Sequence, residues 1–139
     1  MSLSVHDLTV AHLSSLAPED FFLLLAHATG QSREYLIAHP EYQVSARIHT
    51  RFLALTNRRQ RHEPIAYLTG HKEFYGLDFS VTSATLIPRP ETEIMVEHII
   101  EEGLKKITDS EKKIIIADIG TGSGCIIISL AVHLRKISA

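Results

Sequence analysis

This 139-residue chain has almost nothing with which to cross-link itself, since it contains a single cysteine. Cys125 alone can neither close an internal disulfide nor build a multi-cysteine zinc site, which fits a reducing compartment and makes the cytoplasm the expected location. Long hydrophobic runs are also missing. No stretch approaches the roughly 20 apolar residues that span a bilayer, so no membrane association is expected. Met1 to Ala11 carries Asp7 and neither a basic amphipathic nor a long apolar segment, so it reads as neither a signal nor a transit peptide. An excess of positive charge is lacking as well: the formal net charge is -2, whereas nucleic-acid binders are usually basic, so no direct nucleic-acid binding is expected. Of the nine histidines, none forms an i, i+4 ligand pair with a third acidic or thiolate partner, so no metal site is expected.

What is present suffices for a core. Apolar residues make up 45% and charged residues 22% of the chain, near the averages of soluble globular proteins. Pro18, Glu19 and Asp20 mark a helix start and Gly30 its end, with Phe21, Phe22, Leu24, Leu25 and Ala28 as the buried stripe. Ser32 can cap a short helix through Ala38, and His39-Pro40 then interrupts. From about Glu41 to Arg61, Val44, Ile48, Phe52 and Leu55 recur at helical spacing. Residues 1–62 are therefore expected to form a small all-helical domain.

After Glu63-Pro64 the period changes. Phe74-Tyr75 and Asp78-Phe79-Ser80-Val81 resemble two short strands around a Gly-X turn at Gly76-Leu77, so residues 63–87 read as a linker with a β-hairpin. Pro88-Arg89-Pro90 stops any strand, and helical spacing resumes from Glu91 through Ile94, Met95, His98 and Leu104. Thr108 to Lys113 is polar and loop-like. Ile114 to Ala117 is a short apolar run of the kind that forms buried parallel strands, and Cys125 to about Lys136 reads as the following helix. A lone strand and helix leave the faces of Ile114 to Ala117 without partners, so poor packing or association is expected there.

The strongest local signal is Asp118-Ile119-Gly120-Thr121-Gly122-Ser123-Gly124, between the expected strand and helix. Glycines permit positive backbone angles and close approach of the main chain to a ligand, and the amides of the following helix start face a polar or anionic group. A triphosphate loop would need Gly-Lys-Ser/Thr, and no such lysine is present. A dinucleotide fingerprint would need a third glycine where Cys125 stands. An acidic residue two places before alternating glycines is similar to the first motif of Rossmann-like S-adenosylmethionine methyltransferases. The dinucleotide reading stands second, and a turn serving only close packing stands beside both.

A second signal is Glu63-Pro64-Ile65-Ala66-Tyr67-Leu68-Thr69-Gly70, followed by Glu73-Phe74-Tyr75-Gly76 and by Leu86-Ile87-Pro88-Arg89-Pro90-Glu91-Thr92-Glu93. In this order, and with the later glycine turn, these segments resemble the HemK/PrmC family of methyltransferases acting on a glutamine of peptide chain release factors. The resemblance spans about residues 20 to 135. It implies an α/β protein: a helical substrate-recognition domain over 1–62, a β-hairpin linker over 63–87, and the first, incomplete part of a Rossmann-like methyltransferase domain over 88–139.

The resemblance also implies S-adenosylmethionine as cofactor, held by Asp118, Gly120, Thr121, Gly122, Ser123 and Gly124 with Arg89 nearby. It implies a release factor as partner, which is compatible with association with the ribosome. The family's Asn-Pro-Pro-Tyr motif, which orients the substrate amide, and its second acidic residue have no counterpart here. No catalytic residue is therefore assigned, and the chain alone is expected not to turn over. A non-catalytic helical module docking on a release factor and a methyltransferase of the same class with another substrate are the alternatives.

Several residues admit plainer readings. Cys125 suits packing better than reactivity. Arg58, Arg59, Arg61 and His62 read as a solvated helix end ahead of a contact with an acidic partner or ribosomal RNA. Arg89 is balanced between a binding role and a salt bridge to a nearby glutamate, and Glu91 and Glu93 suit a helix start.

Overall fold

A computed structural model describes residues 2–12, 15–107 and 115–135. Helices dominate, with two small sheets, and the chain divides into two compact units, Met1–Thr69 and Gly70–Ala139.

The first unit opens with β1 (Leu3–Ser4) and α1 (Val5–His12). Ser4 and Asp7 cap α1 reciprocally: the Asp7 carboxylate accepts from the Ser4 N–H (3.0 Å) and the Ser4 hydroxyl accepts from the Asp7 N–H (3.1 Å). Then come α2 (Pro18–Thr29) and α3 (Arg33–Ala38). Helix α2 ends at Gly30, whose φ of 76° lets its N–H reach the Ala26 carbonyl. Ser32 caps α3 by accepting from the Tyr35 N–H at 3.1 Å.

The helix expected from Glu41 starts later, because Gln43–Val44 forms β2, paired antiparallel with β1 in the register Leu3 to Val44 and Ser4 to Gln43. Val44 thus enters the core from a strand, and Ser45 caps α4 (Ala46–Gln60). The stretch expected as linker begins with a helix, α5 (Ile65–Thr69), whose Leu68 lies in this unit's core. Phe21, Leu24 and Leu25 of α2, Leu36 of α3 and Phe52 and Leu55 of α4 form that core with Val5 and Leu8 of α1. Phe52 is edge-on to Phe21 (centroids 5.3 Å apart) and to His12 (5.6 Å). Asp20 accepts from the half-buried Arg59 at 2.7 Å, tying α2 to the end of α4.

The second unit begins with a hairpin, β3 (His71–Phe74) and β4 (Leu77–Ser80), in the register His71 to Ser80 and Phe74 to Leu77. Its two turn residues are Tyr75 and Gly76, one place earlier than the sequence pattern suggested. Both have positive φ, 52° and 72°, the geometry that matches the right-handed twist of paired strands. Tyr75 is a costly residue there, and two carboxylates hold the turn: Glu93 accepts from the Tyr75 N–H (3.0 Å) and Glu73 from the Gly76 N–H (2.7 Å).

Helices α6 (Glu91–Ile107) and α7 (Cys125–Arg135) pack against each other. Val96 and Ile100 of α6 are buried with Phe74, Phe79, Cys125 and Leu130. Ile94, Met95 and His98, which marked the helical spacing of α6, are exposed, because the hairpin and α7 cover the face of Val96 and Ile100 instead.

The expected strand at Ile114 to Ala117 is corrected in part. Ile114 and the stretch Thr108 to Lys113 lie outside the described residues, as does Lys136. Residues 115–117 are not in a strand; Ile115 is 92% exposed and only Ile116 packs on the core. A strand exists only by pairing, and the described residues offer it no parallel neighbour: both sheets are two-stranded and antiparallel.

Candidate cofactor site

The turn before α7 is shaped by its glycines. Gly120, Gly122 and Gly124 have φ of 79°, 58° and 79°, a region where side chains with a Cβ are strained. Gly124 has a second reason to lack a side chain, since a Cβ there would stand 3.0 Å from Ile128 Cδ1, whereas one at Gly120 would meet nothing within 4 Å. The Gly124 N–H donates to the Thr121 carbonyl (2.9 Å), and the Gly124 carbonyl accepts from the Ile128 N–H (3.0 Å) to begin α7. Thr121 Oγ1 donates to Asp118 Oδ2 at 2.9 Å, closing the turn across its mouth.

Three features give this turn the chemistry of a binding site. Gly120, Thr121 and Gly122 are exposed, so a ligand can lie against the main chain. The first N–H groups of α7 lack partners within the helix and carry its positive dipole end, which no acidic residue of its first turn neutralises. Ser123 Oγ is buried and has no hydrogen-bond partner. A hydroxyl in that condition costs about 1–3 kcal/mol of desolvation that a ligand acceptor or donor would recover.

Of the residues singled out from sequence, the structure brings Asp118, Thr121, Ser123 and the three glycines into this one turn. It joins Arg89 to them through no hydrogen bond or ion pair among the described residues. Arg89 is exposed, between the buried Pro88 and the exposed Pro90 just before α6, and among the described residues it forms no salt bridge to a neighbouring glutamate. Glu93 is spent on the Tyr75 amide instead. Cys125 is 8% exposed and packs in the core.

Arg58 and Arg59 are not simply solvated: Arg58 forks onto Glu63 through two hydrogen bonds, which holds the Glu63 carboxyl below its usual range, and Arg59 holds Asp20. No group of three His, Cys, Asp or Glu side chains suited to a metal ion occurs among the described residues. Nor is any helix among them long and apolar enough to cross a membrane. The clamps of the hairpin turn, Glu73 and Glu93, escape a sequence reading, because each partner is a backbone amide that no residue pattern marks.

Comparison with known proteins agrees with these motifs. Residues 7–70 match the family model described as the PrmC N-terminal domain. A release factor glutamine methyltransferase of Haemophilus influenzae is 37% identical over 137 residues, 99% of this chain and 47% of the relative. One from Burkholderia pseudomallei is 44% identical over 126 residues, 88% of this chain and 42% of the relative. A third, from Koribacter versatilis, is 43% identical over 115 residues, 83% of this chain and 39% of the relative. The chain therefore spans about half the length, or somewhat less, of the curated relatives it matches. Over that shared length the chain is similar to release factor glutamine methyltransferases, and its residues 7–70 match the PrmC N-terminal domain family.

Proposed function

We propose that the chain is the N-terminal part of an S-adenosylmethionine-dependent methyltransferase that modifies the side-chain amide of a glutamine in peptide chain release factors, in the cytoplasm. Residues 1–62 recognise the release factor, 63–87 connect, and 88–139 open a Rossmann-like cofactor domain. The supporting observation is the glycine turn with its orphaned Ser123 hydroxyl at the start of α7, taken with the names of the relatives. The residues fit the cofactor: it is a polar, zwitterionic molecule without phosphate, and the turn offers amides, two hydroxyls and one carboxylate rather than a phosphate-binding lysine.

When bound, S-adenosylmethionine supplies an electrophilic methyl group. The backbone of Gly120 and Gly122 permits its close approach, the Thr121 and Ser123 hydroxyls and Asp118 orient its polar groups, and Arg89, on a stiff segment between two prolines, is proposed to reach it as well. Because these 139 residues alone are expected not to turn over, the test incubates a form extended to the length of the relatives with a release factor and S-adenosylmethionine labelled in the methyl group, then locates the label by mass spectrometry of peptides. Label on a glutamine side-chain amide is expected. Label on RNA or on another protein, with none on the release factor, overturns the reading.

A second reading is favoured by one observation, that the first unit closes a core of its own from Val5 to Leu68. It is a helical module that docks on a release factor without catalysis. Release-factor binding with no cofactor binding would select it.

A further inference from the structure

Three of the arginines in the first unit are matched by carboxylates: Arg33 with Glu19, Arg58 with Glu63 and Arg59 with Asp20. Among the described residues the exposed Arg61, just past α4, has no such partner, and neither have Arg47 and Arg51, both exposed on α4. They stand at i and i+4, so they share one helix face, where like charges repel. They also stand in the first half of α4, whose first turn, unlike those of α2 and α3, contains no acidic residue. Nothing in the helix itself rewards cations at these positions, since the dipole favours them at the other end.

Both arginines line a single groove of about 390 Å³ together with Ser45 and with Ala28 and Ile48. Arg51 is steadied there, its Nη2 donating to His27 Nε2 at 3.0 Å across to α2. A guanidinium fixed through one N–H keeps the others in a planar fork that matches a carboxylate. The groove thus combines two unmatched cations, a hydroxyl and a small apolar floor.

We propose that this groove docks an acidic segment of the protein partner, an Asp or Glu side chain meeting Arg47 and Arg51 while its aliphatic stem lies on Ala28 and Ile48. The inference rests on the reading that the first unit recognises a release factor, and it adds where and by what chemistry. A protein carboxylate is favoured over a nucleic-acid backbone because the cations are only a pair above an apolar floor, on a chain of net charge -2. A phosphate track is longer and more basic.

The test titrates the 139-residue chain with a release factor, with poly-L-glutamate and with single-stranded RNA, at low and at physiological salt. Three forms are compared: wild type, Arg47→Glu with Arg51→Glu, and Arg61→Glu, which reverses an exposed arginine outside the groove. The double reversal should weaken release-factor and polyglutamate binding by about five- to thirty-fold, as for two exposed ion pairs, and Arg61→Glu by less than about two-fold. The reversal exchanges one like-charge pair for another and gives up the exposed Arg51–His27 hydrogen bond, but it suits the dipole, so its Tm should stay close to that of wild type, and lost binding is then not lost folding.

Equal release-factor binding by wild type and double reversal overturns the groove and leaves the proposed function standing. No release-factor binding by wild type, with polyglutamate binding that still depends on Arg47 and Arg51, overturns the partner's identity and keeps the groove. Arginine-dependent binding of RNA in preference to polyglutamate, or no arginine-dependent binding of any probe, overturns the proposal.

Discussion

Substituting Ser123 by alanine separates stability from binding at the glycine turn. Ser123 Oγ is buried without a partner, so deleting it removes a desolvation penalty of about 1–3 kcal/mol. The residue as a whole is only half-buried and its neighbours Thr121 and Gly122 are exposed, which places the gain near the low end, about 1 kcal/mol. For a domain of 60–100 residues that is a rise in Tm of about 4–8 °C. Ser129 is the internal control: its Oγ is also buried without a partner, but it lies inside α7. Ser129→Ala should gain a similar amount plus about 0.5 kcal/mol of helix propensity. The two variants then part company. S-adenosylmethionine should raise the Tm of wild type and Ser129→Ala alike, and bind Ser123→Ala about ten-fold more weakly, the loss of one hydrogen bond. Thermal unfolding followed by circular dichroism, with and without cofactor, reads both effects. A Tm of Ser123→Ala at or below that of wild type without cofactor refutes the reasoning, because the hydroxyl would then already be satisfied.

Phe52→Ala should cost about 3–5 kcal/mol in urea unfolding of the first unit, since Phe52 is fully buried between Phe21 and His12; a cost under about 1.5 kcal/mol would show that the core collapses around the void. Gly124→Ala should cost about 1–2 kcal/mol for its left-handed backbone plus a few tenths more than Gly120→Ala, because its methyl meets Ile128 at 3.0 Å, and equilibrium melts of the two variants give that difference. Burial first, and the charge of His49 second, hold the His12 imidazole below its ordinary value of 6.5. The unfolded chain then binds the extra proton, so this contribution is full above about pH 6.5 and is lost as pH falls through and below that value. Urea midpoints at about pH 7.5 and 5.5 should therefore differ more for wild type than for His12→Gln, and an equal or larger difference in the variant would count against it.

Elements announced by local chemistry are legible in the sequence. Pro18 and Gly30 bound α2, and Ser32 announces α3, because caps act over a few residues. The seven residues Asp118 to Gly124 declare a turn for the same reason: alternate glycines have little use unless the backbone turns left-handed. What escapes is set at a distance. Strand β2 is two residues long and exists only through its pairing with Leu3–Ser4, so a helical period running from Glu41 hides it. Helix α1 escapes because its cap uses Asp7 in place of the usual Glu or Gln and its buried residues are only Val5 and Leu8. The exposed face of α6 is a packing outcome: Ile94 and Met95 are as apolar as Val96, and only the position of the hairpin and α7 decides which is covered. That no hydrogen bond or ion pair joins Arg89 to the glycine turn among the described residues likewise depends on tertiary placement that no motif spacing encodes.

The clamp of Glu93 on the Tyr75 amide has a consequence for chain entropy. The segment between the hairpin and α6 is pinned at one end by the Val81 N–H on the Gly70 carbonyl (2.9 Å) and at the other by Glu93 on Tyr75 (3.0 Å). It is a closed loop whose ends are held by the same hairpin. Thr82, Ser83 and Ala84 at its crest are exposed, and doubling the length of such a loop adds only about 0.6 kcal/mol to its closure. Extra residues inserted there would lengthen the crest while leaving Pro88-Arg89-Pro90 at its anchored foot. Evolution can therefore vary this crest in length and composition without moving the arginine that follows it.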